Sequence, residues 1–84
     1  MNFRYIIVKT IMIRLFEIQN YANNQIFDLY EINEVGQKYK RFRIQKHELK
    51  AIMKPSDAQA FEFGQLKVVH LEERKVENAS SIIY

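Results

Sequence analysis

At 84 residues, 48% hydrophobic and 13% aromatic, the chain is long enough for one small core and too apolar for intrinsic disorder. It has no cysteine, which excludes disulfides, thiolate chemistry and cysteine-based zinc sites and suits a reducing, cytoplasmic setting. The formal net charge of +3 hides an asymmetry: Lys38, Lys40, Arg41, Arg43, Lys46, Lys50 and Lys54 face only Glu48 within residues 38 to 54, a net of +6, while the rest of the chain sums to −3.

Taken in chain order, residues 3 to 18 are rich in Ile, Val, Phe and Tyr, carry no helical period and contain no Gly or Pro, which predicts extended structure. The segment is long for one straight strand. It is expected either to bend, as the first strand of a small barrel does, or to break near Lys9-Thr10. Lys9 and Arg14 interrupt the apolar run from Tyr5 to Phe16, and no small-residue cleavage site follows, so it reads as a strand and neither as a membrane span nor as a signal peptide. The polar run Gln19 to Gln25 is expected to be a loop.

Ile26 to Ile32 and Lys38 to Gln45 read as a hairpin closed around Asn33-Glu34-Val35-Gly36, with Gly36 as its left-handed residue. Two registers compete. A four-residue loop sets Phe27 opposite Phe42, Asp28 opposite Arg41, Tyr30 opposite Tyr39 and Glu31 opposite Lys38, whereas a three-residue loop sets Leu29 against Arg41 and Asp28 against Phe42. Cross-strand pairs contribute roughly 0.2 to 1 kcal/mol each, which selects the four-residue loop. One face then carries Phe27, Leu29, Phe42 and Ile44 into the core, and the other presents Asp28, Tyr30, Tyr39, Arg41 and Arg43.

Beyond Gln45 the period changes to that of a helix, with Leu49, Ile52 and Met53 on one side, Lys46, Lys50 and Lys54 as a stripe on the other, and Pro55 as its end. Residues 60 to 63 admit two readings. Gly64-Gln65 suits a hairpin turn joining Ala60 to Phe63 with Leu66 to Leu71, while Ser56 with Gln59 resembles a capping box for a short helix stopped by Gly64. Residues 72 to 79 are polar, which sets the expected domain at residues 1 to 75 and a C-terminal extension at 76 to 84, with Ile82, Ile83 and Tyr84 able to dock back. The order of elements is that of a β-rich α+β domain, a small five-stranded OB-like barrel with one short helix between strands 3 and 4. The alternative is an open antiparallel sheet with one or two packed helices. The likeness is of topology, and no residue motif names a family.

No catalytic constellation is present. Ser56, Ser80 and Ser81 have no neighbouring base, Glu72-Glu73 is an adjacent pair, and two glycines cannot form a phosphate cradle, so the chain is expected not to be an enzyme and to need no cofactor. His47 and His70 lack a second ligand at helical spacing, so no metal site is expected; His47 reads as exposed and His70 as a partly buried histidine on a strand. Asn78-Ala79-Ser80 fits the N-glycosylation pattern, which matters only in a secreted chain.

The basic-aromatic cluster points outward. Cations for phosphates and flat rings for bases are what single-stranded nucleic-acid binding without sequence preference needs, and Tyr30, Lys38, Tyr39, Arg41, Arg43, Lys46 and Lys50 supply both. Four or five phosphate contacts would give a salt slope of roughly −3 to −3.5. Facing tyrosines also stabilise a hairpin without binding anything, and lysines on a short helix commonly form a solvated face. The competing expectation is a small adaptor or inhibitor, of the kind a phage or other mobile element carries, docking its basic face on an acidic protein surface. An exposed edge of the long first strand would also serve a partner strand or a homodimer.

Overall fold

The computed structural model describes residues 11–84, and the expected extension of the first strand through residues 3 to 10, with its break at Lys9-Thr10, lies outside them. The elements are β1 (Ile13–Ala22), β2 (Ile26–Ile32), β3 (Lys38–Gln45), α1 (Lys46–Ile52), α2 (Pro55–Glu62), β4 (Val68–Glu72), α3 (Glu73–Ala79) and β5 (Ser81–Ile83). The strands form one antiparallel sheet in the order β4-β1-β2-β3-β5, a small α+β domain. Among the described residues the sheet is not closed. A barrel requires its outer strands to pair, and here β4 lies beside β1 at one edge while β5 lies beside β3 at the other. Of the two expected architectures, the open sheet with packed helices describes the molecule, with three helices in place of one or two. Among the described residues, no helix is long and apolar enough to cross a membrane.

The first hairpin is tighter than its polarity suggests. The segment Gln19 to Gln25 is strand through Ala22, and the turn covers residues 23–25, with positive φ at Asn23 and Asn24 (49° and 56°). Such a pair makes the two-residue turn that matches strand twist, closed by the Gln25 N–H on the Ala22 carbonyl at 2.9 Å. A bulge between Asn20 and Ala22 leaves Tyr21 as the extra residue.

The second hairpin corrects the expected register. The Asn33 N–H donates to the Gln37 carbonyl at 3.0 Å, the Gly36 N–H returns to the Asn33 carbonyl at 3.0 Å, and Gly36 has φ +82°. Asn33 Oδ1 accepts the N–H groups of Val35 and Gln37, which fixes the turn from within. The loop is therefore the three-residue kind. Its parity would expose Leu29, but a bulge opposite Glu31 and Ile32 makes Tyr39 an extra residue and restores the apolar face. The pairs are Phe27 with Ile44, Asp28 with Arg43, Leu29 with Phe42, Tyr30 with Arg41 and Glu31 with Lys40, two residues from the expected register. A shift of two preserves the faces, so Phe27, Leu29, Phe42 and Ile44 are all buried.

One face of the sheet carries the helices. Phe16, Leu29, Phe42, Val69 and Leu71 meet Leu49 and Met53 of the α1 region, Phe61 of α2 and Val76 of α3 in a single core, with Phe27 edge-on to Phe61 at 4.9 Å between ring centroids. Pro55 does more than end α1: it opens α2 at its first turn, where a missing N–H costs nothing. Residues 60 to 62 are accordingly helix, and no strand covers Ala60 to Phe63. Lys54 holds the N-cap position without a side-chain bond, so Ser56 and Gln59 do not form the expected capping box. Gly64 does stop the helix, with φ +70° and the Gln65 and Gly64 N–H groups returning to the carbonyls of Ala60 and Phe61.

The strand after it is one residue out of the expected phase. Val69 and Leu71 are buried, whereas Val68 and His70 are exposed, so His70 is not the partly buried histidine its neighbours suggested. The polar segment 72 to 79 is no extension either. It forms α3, with Val76 fully buried, and leads into β5, which pairs Arg41 with Ile83, Phe42 with Ile82 and Arg43 with Ser81.

Candidate functional site

The sheet face opposite the helices aligns side chains in rows across the strands. The central row runs from Val68 on β4 through Glu17 on β1, Tyr30 on β2 and Arg41 on β3 to Ile83 on β5. Beside it run Gln19, Asp28, Arg43 and Ser81 on one side, and His70, Leu15, Ile32 and Lys38 on the other. Tyr30, Lys38, Arg41 and Arg43 thus share one face, and Tyr39 stands exposed at the bulge beside them.

Folding brings carboxylates to most of the basic residues. Arg43 grips Asp28, which is only 5% exposed, through Nε to Oδ1 at 2.9 Å and Nη2 to Oδ2 at 3.3 Å, and its guanidinium lies 3.3 Å from the centroid of the Tyr21 ring. The bidentate bond to Asp28 holds the Arg43 proton more firmly than usual. Lys38 pairs with Glu17, and with Gln19 it lowers the Glu17 carboxyl below its ordinary range. Lys40 points to the helical side, 3.9 Å from Glu73 and 3.8 Å from Glu77. Lys46 and Lys50 belong to the helical layer and converge on Glu62, at 3.6 and 2.7 Å, so they form no track continuous with the sheet face. Lys50 first and Lys46 next lower the Glu62 carboxyl.

Arg41 is the exception on this face. Among the described residues it makes no ion pair, and its guanidinium stands 6.0 Å from the centroid of Tyr30, within cation–π reach. It lines an open groove of about 450 Å³ along β3 and β5, together with Tyr30, Lys38, Tyr39, Lys40, Ile82, Ile83 and Tyr84. The arrangement offers one guanidinium, the ammonium groups of Lys38 and Lys40, three tyrosines and an aliphatic wall.

The sequence-predicted residues therefore divide. Tyr30, Lys38, Tyr39 and Arg41 come together in the groove; Arg43 lies one row away in a closed pair with Asp28; Lys46 and Lys50 are elsewhere. Over Leu15–Glu17, β2 and β4 flank the first strand on both sides, so it presents no free edge there. Ile83 and Tyr84 were missed as groove walls because a three-residue strand after a polar segment has too short a pattern to read. The acids that neutralise the basic window, Glu17, Asp28, Glu62, Glu73 and Glu77, all lie outside it in sequence, and only their net of −3 with the rest hinted at them.

Among the described residues, no group of three or more His, Asp or Glu side chains is placed to hold a metal ion. Comparison with protein-family models, curated proteins and solved structures returns no match.

Proposed function

We propose that this chain is a small non-catalytic binding module that docks an acidic protein surface in the groove along β3 and β5, with Arg41 as its anchor. One observation carries the reading: five of the seven basic residues of the window already face carboxylates of the same chain, which leaves Arg41 and Lys54 without an ion pair among the described residues, and of these two Arg41 stands on the sheet face among tyrosines. A single guanidinium ringed by Tyr30, Tyr39 and Tyr84 has the composition of an interface hot spot, in which Arg and Tyr anchors dominate binding. A phosphate-tracking surface needs several cations in line. By occupying an acidic surface, the module would act as an adaptor or inhibitor, in a reducing cytoplasm that suits a chain without cysteine.

Single-stranded nucleic acid is the second reading, favoured by the flat rings of Tyr30 and Tyr39 beside the guanidinium. A random Glu–Tyr copolymer and a thymidine oligonucleotide separate the two when titrated at physiological salt. The expected result is saturable binding of the copolymer, weakened about tenfold or more in Arg41→Ala with the melting temperature unchanged. Equal binding by both proteins removes the anchor; binding of the oligonucleotide alone replaces this reading with the second.

A further inference from the structure

Of the two buried acids among the described residues, Asp28 is held by Arg43 and Glu31 makes no ion pair. Glu31 lies on the helix-facing side of β2, 1% exposed, between Phe16 of β1 and Lys40 of β3, and its Oε1 has no hydrogen-bond partner among the described residues. A buried polar atom without a partner carries a desolvation cost that is far larger for the ion than for the acid. The surroundings relieve it only in part. Among the described residues, Glu73 and Glu77 of α3 oppose its ionisation, and the cations Lys40 of β3 and Arg14 of β1 favour it. Both cations are already engaged with α3: Arg14 with Glu73 at 3.4 Å, and Lys40 with Glu73 and Glu77.

We propose that the Glu31 carboxyl is a proton-operated latch that sets whether α3 and β5 stay docked on the sheet. The coupling is built into the chain. α3 packs on β3, β4 and α1 through Val76, and only Ser80, whose hydroxyl bonds the Val76 carbonyl, separates it from β5. When Glu31 ionises, it places a third carboxylate beside Glu73 and Glu77 in a site whose cations, Lys40 and Arg14, are already engaged with α3, and the cheapest relief is to lift α3 and admit water. β5 then leaves with it, and Ile83 and Tyr84 no longer wall the groove.

The sign follows from burial, which is the first cause holding the Glu31 carboxyl above its ordinary range, with repulsion from Glu73 second. The docked form binds the extra proton, so docking is fullest at and below the ordinary carboxylate range. It is lost as pH rises through the elevated value. The consequence for binding rests on the groove reading above, but the latch itself does not.

Amide hydrogen exchange without ligand, followed residue by residue over about pH 5 to 8 and corrected for intrinsic rates, tests it. In the wild-type protein the opening constants of α3 and β5 should rise with pH, by up to about tenfold per unit for one proton, while those of β1 and β2 stay flat. Glu31→Gln and Glu31→Leu should flatten the rise; the second removes the polar atoms altogether and guards against a misfolded amide variant. Opening constants in α3 and β5 that are flat in the wild type, or that rise equally in both variants, overturn the latch. Because no ligand is present, the latch and the groove reading fail separately.

Discussion

Phe42 and Arg43 are neighbours in sequence that face opposite sides of the sheet, and their structural settings give them unequal roles. Phe42 is fully buried and edge-on to Phe16 at 6.1 Å, so Phe42→Ala should cost about 3 to 5 kcal/mol, a large part of the stability of so small a domain. Alternation alone would make Arg43→Ala silent for folding. The structure says otherwise, because that substitution strands the nearly buried Asp28 carboxylate and uncovers Tyr21. Thermal unfolding of the three single variants should therefore rank Phe42→Ala as most destabilising, Arg43→Ala next and Arg41→Ala near wild type. Asp28→Asn should recover part of the loss in the Arg43→Ala background. Equal melting temperatures for Arg43→Ala and Arg41→Ala would show that the Asp28 pair contributes nothing. The face of each residue was legible from alternation, but the partner was not, since Asp28 meets Arg43 only through a bulge that no propensity announces.

Among elements, the turns carry most of the information that decided the fold. Gly64 adopts φ +70° with nothing within 4 Å of where a Cβ would stand, so Gly64→Ala should lose stability by backbone strain alone, about 1 to 2 kcal/mol. Gly36→Ala, at φ +82° and equally open, should lose about as much. Chemical denaturation of both variants checks this, and a silent Gly64→Ala would mean that the helix stop is set elsewhere. α1 and α2 are tied by Glu62, whose carboxyl Lys50 and Lys46 hold below its ordinary range. Its contribution is present above the ordinary carboxylate range and lost as pH falls through the depressed value, the opposite direction to Glu31. Acid titration of Glu62→Gln should accordingly show less loss of stability at low pH than the wild type. The helix over Lys46 to Ile52 and the hairpin strands were readable because their apolar periods are clean. α3 was not, because its buried face rests on Val76 and half-buried Ala79 within a polar stretch, and the cations it pairs with, Arg14 and Lys40, are distant in sequence.

At the scale of the whole molecule, a sequence-level charge cluster and a surface charge cluster are different things. The window from Lys38 to Lys54 carries +6 in sequence, yet β3 and α1 project its cations to both layers, where acids from β1, β2, α2 and α3 meet five of the seven. Apart from the nearly buried Arg43–Asp28 pair, such pairs are partly solvent-exposed and worth little to stability, but all of them reduce the field that a polyanion would feel. The open sheet was one of two architectures that the sequence allowed, and closure failed because residues 60 to 62 are helical and the fifth strand is the short Ser81–Ile83 at the far edge.

The salt dependence of binding to a thymidine oligonucleotide probes that internal neutralisation most directly, because its slope counts the cations free to meet phosphates. With Arg41 as the unpaired cation of the face and Lys38 the nearest that can leave its acid, the log of the affinity should fall with log salt at a slope no steeper than about −0.7 to −1.4, if binding is detected at all. A slope of about −3 would require four or more cations on phosphates, and would contradict the account by showing that the basic window acts as one surface.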